Sequence, residues 1–160
     1  MKINNTIDPQ QEFIHAGYRY ALSLTRHHEN AEDLVQQAWL KLSRKYGEVS
    51  HRALLFTTIR NQFYDECRRN KVVQLEAIEH HPEPINHGNA HEDSRARNDL
   101  DFLLTKLNHR EREILQLNAV EGYTASEIAD QTETPRGTVL SMLSRSKNKL
   151  RYHAMTEMRS

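Results

Sequence analysis

A chain of 160 residues with 37% hydrophobic and 28% charged residues, five Gly and four Pro suits a soluble, helix-rich protein of one or two small domains rather than a β-sandwich or a disordered chain. No run approaches the roughly 18 apolar residues of a membrane span, the N-terminus lacks the apolar core of a signal peptide, and Cys67 is the only cysteine, which points to a reduced cytoplasm without stable membrane insertion. The net charge of zero hides a segregation, +3 over residues 1–74, −4 over 75–99, −4 over 100–135 and +5 over 136–160, that lets one surface meet phosphates while another stays acidic.

In the first half, Phe13, Ile14, Gly17, Tyr18, Ala21, Leu22 and Thr25 recur at helical spacing and predict an amphipathic helix from about Pro9 to Arg26. Asn30 is the expected cap of a second helix, with Glu32 and Asp33 in its first turn and Leu34, Val35, Ala38, Trp39 and Leu42 as the buried stripe. A break from Tyr46 to Arg52 contains Gly47. A third helix is predicted from about Ala53 to Arg69, with Leu55, Phe56, Ile59, Phe63 and Cys67 inward and Arg60, Asn61, Tyr64, Arg68 and Arg69 on its polar side.

From Gln74 to about Arg97, Pro82, Pro84, Gly88 and four histidines interrupt any apolar period, so the segment reads as a flexible linker. Leu100 to Leu107 then gives a short apolar helix, and Asn108 with Glu111 forms a capping-box pattern opening another to about Val120. Thr124 with Glu127 repeats the pattern for a helix from Ala125 to Gln131. Thr134 as cap and Pro135 as first residue predict a last helix from about Arg136 to Tyr152. The pair joined by Thr132-Glu133-Thr134 is a helix-turn-helix, whose second member ordinarily enters the major groove. Val139, Leu143, Ser146 and Leu150 form its inner side, leaving Arg136, Thr138, Ser141, Ser144, Arg145, Lys147 and Lys149 outward. Short hydroxyls and Arg near the start of such a helix suit base edges, and later basic residues suit phosphates. The fold class is therefore all-α, with two small helical domains, 8–73 and 99–155, joined by the linker 74–98.

Three blocks together resemble the extracytoplasmic-function class of bacterial sigma factors, which keeps only regions 2 and 4. NAEDLVQQAWLKL is similar to the signature of region 2, LLFTTIRNQFYDECRR to its promoter-melting helix, and the span from LNHREREILQ to SRSKNKLR to region 4. The resemblance implies a non-enzymatic initiation factor without cofactor or metal, whose partners are core RNA polymerase and promoter DNA, duplex and melted. An anti-sigma factor is a further partner it allows. On this chain it implies that Asp33, Gln36, Gln37 and Lys41 dock on polymerase. Tyr46, His51, Arg52, Arg60, Asn61, Arg68 and Arg69 would meet the minus-ten element. Extruding a base costs a few kcal/mol, which Tyr46 and His51 can offset by stacking, while Arg60, Arg68, Arg69 and Lys71 neutralise phosphates. Arg136, Thr138, Ser141, Ser144, Arg145 and Lys147 would read the minus-35 element.

The chain departs from the family pattern at Leu54, often Trp and set beside the melted base, at Glu133, near which the turn usually carries Gly, and at Leu140 and Met142, frequently basic. Fewer basic groups on the last helix imply either less affinity for the minus-35 element or more dependence on apolar contact with thymine methyls. The 25 residues from Leu75 to Asp99 extend to roughly 80 Å but average about 25–30 Å as a coil, against about 34 Å per turn of DNA, so polymerase must fix the spacing of the two domains. Two other readings compete. A stand-alone helix-turn-helix regulator explains the second half but not the first. An enzyme would need His80, His81, His87 and His91 to gather a metal, and they lack the spacing of known zinc motifs.

Overall fold

The computed structural model describes residues 8–73 and 93–159. Among them lie seven α-helices and no strand: α1 (Pro9–Thr25), α2 (His28–Tyr46), α3 (Arg52–Val73), α4 (Asp93–Leu104), α5 (His109–Leu115), α6 (Ala125–Thr132) and α7 (Arg136–Glu157). A π-helical turn, Gln116–Val120, prolongs α5. Of the predicted linker 74–98, residues 74–92 with the histidines lie outside the described residues, whereas 93–98 are helical: the helix expected at Leu100 begins at Asp93, where the sequence offers too little apolar period to reveal it.

Local chemistry sets most of the boundaries. The Asp8 carboxylate accepts from the Gln10 amide at 3.1 Å to start α1, with Pro9 in the first turn. That helix ends at Arg26, which takes left-handed geometry at φ 55° and donates its amide to Leu22. Asn30 is not the cap of α2, because the ring of His27, three residues earlier, accepts from the Asn30 amide. Both capping boxes form, with Asn108 and Glu111 exchanging bonds of 2.9 and 3.0 Å and Thr124 and Glu127 bonds of 3.2 and 2.8 Å. Thr134, expected to cap α7, instead turns its hydroxyl to the Thr132 carbonyl, and Pro135 holds the cap position without a side-chain bond.

In the N-terminal half α1 lies across α2 and α3, burying Ala16, Ala21, Leu34, Ala38, Leu55, Phe56 and Ile59. Each large side chain so removed from water contributes about 1.5–3 kcal/mol. Gly17 permits the approach, since a Cβ there would stand 2.8 Å from the Leu55 side chain. The inner stripe of α1 is rotated from the expected one. Ala16, Tyr20 and Leu24 are buried, whereas Ile14 is 36% exposed, because α1 packs on α5 as well as on α2 and α3.

The C-terminal half gathers Ile114, Leu117, Ile128, Val139 and Leu143 where α5, α6 and α7 meet. The two halves share one core. Tyr20 stacks on Phe56 with ring centres 4.7 Å apart, and Tyr123 meets the edge of Phe56 at 6.4 Å. Glu111, Arg112, Glu113 and Ile114 are all buried, leaving Arg110 as the one exposed residue of α5, with α1 packed on one side of the helix and α7 on another. A helix with four consecutive buried residues of which three are charged needs a partner for each charge.

Candidate nucleic-acid interface

The turn between α6 and α7 places Glu133 in left-handed geometry at φ 51°, so the chain bends as it would with glycine but with a Cβ in a disfavoured region. α7 then projects Arg136, Thr138, Ser141, Ser144, Arg145 and Lys147, all exposed, along one continuous surface. Arg136 donates to the Ser126 hydroxyl at 3.1 Å, which steadies it at the helix start, and Ser141 turns its hydroxyl to the Gly137 carbonyl. Leu140 is 43% exposed and can meet a methyl group, but Met142 is buried in the core. Lys149 pairs with Glu111 at 2.7 Å and so belongs to the packing of α5 on α7.

On α2, Asp33, Gln37 and Lys41 follow one another at four-residue intervals with Gln36 beside them, and all four are exposed. Leu40, 52% exposed, lies among them and borders a shallow groove with Gln37, Lys41 and Arg44. A polar face carrying one solvent-exposed leucine suits a protein partner better than a phosphate backbone.

The last residue of α2, Tyr46, is 54% exposed with the Lys45 ammonium 5.0 Å from its ring, and His51, just before α3, is exposed. Asn61, Arg68 and Arg69 are exposed along α3, with Arg68 paired to Asp65. Arg52 and Arg60 are each already paired with a carboxylate of the other half. Arg52 pairs with Glu121 at 2.8 Å, and Arg60, its side chain only 16% exposed, pairs with Glu113 at 2.8 Å while lying 4.7 Å over the Tyr64 ring.

The residues that sequence patterns missed are those joining the halves. Glu113, 1% exposed, accepts from the hydroxyls of Tyr20 (2.5 Å) and Tyr64 (2.9 Å) as well as from Arg60. Burial first, then the Glu113 carboxylate, push both phenols above their ordinary value. Arg112 donates to the Ser23 carbonyl at 2.9 Å and also reaches those of Leu24 and Leu107. Burial and the nearby Arg26 hold its guanidinium down at about 10. Arg26, itself lowered by burial, meets Asp101 through both the backbone carbonyl (2.9 Å) and the carboxylate (3.6 Å). The signal that could have found them is the charged run Arg110-Glu111-Arg112-Glu113 standing directly before the apolar Ile114 and Leu115 in so short a helix. No group of His, Cys, Asp or Glu among the described residues is arranged to hold a metal ion, and His80, His81, His87 and His91 lie outside them.

Residues 12–72 match the family model described as Sigma-70 region 2, and residues 97–150 that described as Sigma-70, region 4. An ECF RNA polymerase sigma factor SigE from Mycolicibacterium smegmatis is 29% identical over 147 residues, 84% of this chain and 55% of that protein. The chain thus spans about half the length of that curated relative. The sigma factor RpoE from Bartonella quintana, solved with the anti-sigma factor NepR, superposes with a TM-score of 0.66 at 29% identity over 88% of this chain and 91% of that one.

Proposed function

The chain belongs to the extracytoplasmic-function class of sigma factors, and from that membership we propose that it binds core RNA polymerase and directs it to open promoters. The observation that carries the reading is the presence, in one chain, of the helix-turn-helix of α6 and α7 and the α1–α3 unit with its exposed α2 face. A stand-alone regulator accounts for α6 and α7 but leaves α2 and α3 without a task.

Asp33, Gln36, Gln37 and Lys41 dock on polymerase. Tyr46, His51 and Asn61 receive the melted strand of the minus-ten element, with Arg52, Arg60, Arg68 and Arg69 on its phosphates. Arg136, Thr138, Ser141, Ser144, Arg145 and Lys147 contact the minus-35 element, where base contacts supply sequence preference and phosphate contacts affinity. The chain performs no catalysis of its own and works in the cytoplasm. In support of the latter, no helix among the described residues is long and apolar enough to cross a membrane. An anti-sigma factor is a further partner, by likeness to the RpoE–NepR complex.

Run-off transcription with core polymerase on a genomic library tests the assignment: discrete start sites dependent on the chain are expected, and their absence rejects it. Asn61→Ala should impair promoter opening more than closed-complex formation, and equal loss in both would remove the melting role from α3.

A further inference from the structure

Of the ten large apolar side chains exposed among the described residues, five stand on α4 and at the end of α7: Leu100, Phe102, Tyr152, Met155 and Met158. Between the two helices runs a groove of about 470 Å³ lined by Phe102, Leu103, Ala154 and Met158, and by the carboxylates of Asp99 and Glu157. The last turn of α7 carries no basic side chain, so its free carbonyls add to that negative charge. Beside the groove the same helix end forms a ridge. Tyr152 and Met155 follow at three-residue spacing, Arg151 stands one turn before Met155, and Arg159 lies just past the helix. Asp99, Glu157, Arg151 and Arg159 are all exposed, and none of them is ion-paired among the described residues.

We propose that this end of the molecule is a self-association surface, on which the Tyr152–Met155 ridge of one copy fills the α4–α7 groove of a second copy. Charge selects the occupant. A groove lined by two carboxylates repels a phosphate backbone and suits an apolar ridge flanked by cations, which is what Arg151 and Arg159 make of the end of α7. Because groove and ridge adjoin on one helix end, two copies related by a two-fold axis form both contacts at once, and the assembly closes as a dimer. Phe102, Tyr152, Met155 and Met158 are 42%, 69%, 60% and 90% exposed. At roughly 150–250 Å² for a large side chain they leave about 500 Å² of apolar surface on each copy. Two copies bury about 1,000 Å² before the charged rim is counted, which is where specific interfaces begin. The two methionines suit such a contact, since an unbranched thioether adapts to a facing aromatic ring such as Phe102. The proposal does not rest on the functional reading, because none of the residues assigned there to polymerase or DNA lies in the groove or on the ridge.

Sedimentation velocity of the full chain from about 1 to 200 µM tests it, the range in which an interface of this modest size associates. The mass should rise with concentration from 18.8 kDa toward twice that value. Two reversals are made at exposed positions, Arg151→Glu with Arg159→Glu on the ridge, and Asp99→Lys with Glu157→Lys in the groove. Each alone sets like charge against like and should weaken association about tenfold. An equimolar mixture of the two should regain the dimer, because every ridge then faces a groove of opposite sign. Met155→Glu should weaken association by at least as much as either reversal. Glu12→Lys with Glu29→Lys, exposed on α1 and α2, reverses the same charge elsewhere and should leave the mass unchanged. Circular dichroism should show the same helical content throughout, since every substituted side chain is exposed. The proposal is overturned if the chain stays at 18.8 kDa at the highest concentration, which leaves the groove to a different partner. It is equally overturned if a dimer forms that neither reversal weakens, if the mixture stays monomeric, or if the α1–α2 control weakens association as much. Run-off transcription is read separately, since a chain that initiates there but never dimerises loses the self-association and keeps its function.

Discussion

Tyr20→Phe isolates one bond at the centre of the molecule. Tyr20 is 1% exposed and its hydroxyl lies 2.5 Å from Glu113, while its ring stacks on Phe56 at 4.7 Å. Phenylalanine keeps the ring, its buried area and the stacking, so nearly all of the change falls on the hydrogen bond. A bond to a buried charged group is worth about 1.5–3 kcal/mol. Glu113 would retain Arg60 and Tyr64, which places the loss toward the lower end, about 1.5–2 kcal/mol. For a chain of this size that corresponds to a fall in Tm of about 3–8 °C. Urea unfolding followed by circular dichroism and by the fluorescence of Trp39, the only tryptophan, measures it. Trp39 sits on α2, away from the junction, so if the halves unfold as one unit both signals should shift together. A loss below about 0.5 kcal/mol would refute the reasoning, because the hydroxyl would then be contributing no more than a surface contact. A coupling energy near zero in a double-mutant cycle with Glu113→Gln would refute it independently.

At alkaline pH the raised phenols make a second prediction. Tyr20 and Tyr64 ionise later in the folded chain than in the unfolded one, so the stability they contribute is full below about pH 10 and is lost as pH rises toward their folded values. Absorbance at 295 nm should report these phenols only as the fold opens, and Tyr20→Phe should flatten the decline. Glu111 gives the opposite case. Burial pushes its carboxyl up, but the Lys149 hydrogen bond, the Asn108 backbone amide and the charges of Lys149 and Arg145 outweigh that and hold it low. Its contribution is therefore present above about pH 4.3 and fades as pH falls through the depressed value, and Lys149→Met should move the carboxyl upward in an NMR titration. Glu133→Gly should raise stability by about 1 kcal/mol, since φ 51° disfavours a Cβ there. An unchanged or lower Tm would mean that the left-handed turn is not strained.

Most of the fold follows from features the sequence carries locally. The capping boxes at Asn108 and Thr124 and the stripe from Leu34 to Leu42 depend on neighbours a few residues apart, which is why periodicity and turn chemistry locate them. The cap of α2 and the inner face of α1 were misread for two different reasons. A histidine is an uncommon cap, and the side of α1 that carries Ala16, Tyr20 and Leu24 is covered in part by α5, which the sequence of α1 itself does not announce. The exposed faces of α2 and α7 were legible because residues meeting solvent or a partner are those the apolar period leaves over. That Arg52 and Arg60 answer to Glu121 and Glu113 was not, since long-range ion pairs leave no spacing to detect.

The grip of Arg112 on α1 has an asymmetric consequence for sequence change. It holds the end of that helix by the carbonyls of Ser23 and Leu24, which every residue possesses, and the last turn of α1 has no basic side chain of its own. Positions 23 and 24 can therefore drift with respect to this contact, while position 112 cannot. A fragment containing α1 to α3 alone would leave those carbonyls to water and fray there first. The helix end is, in effect, encoded some ninety residues downstream of where it occurs.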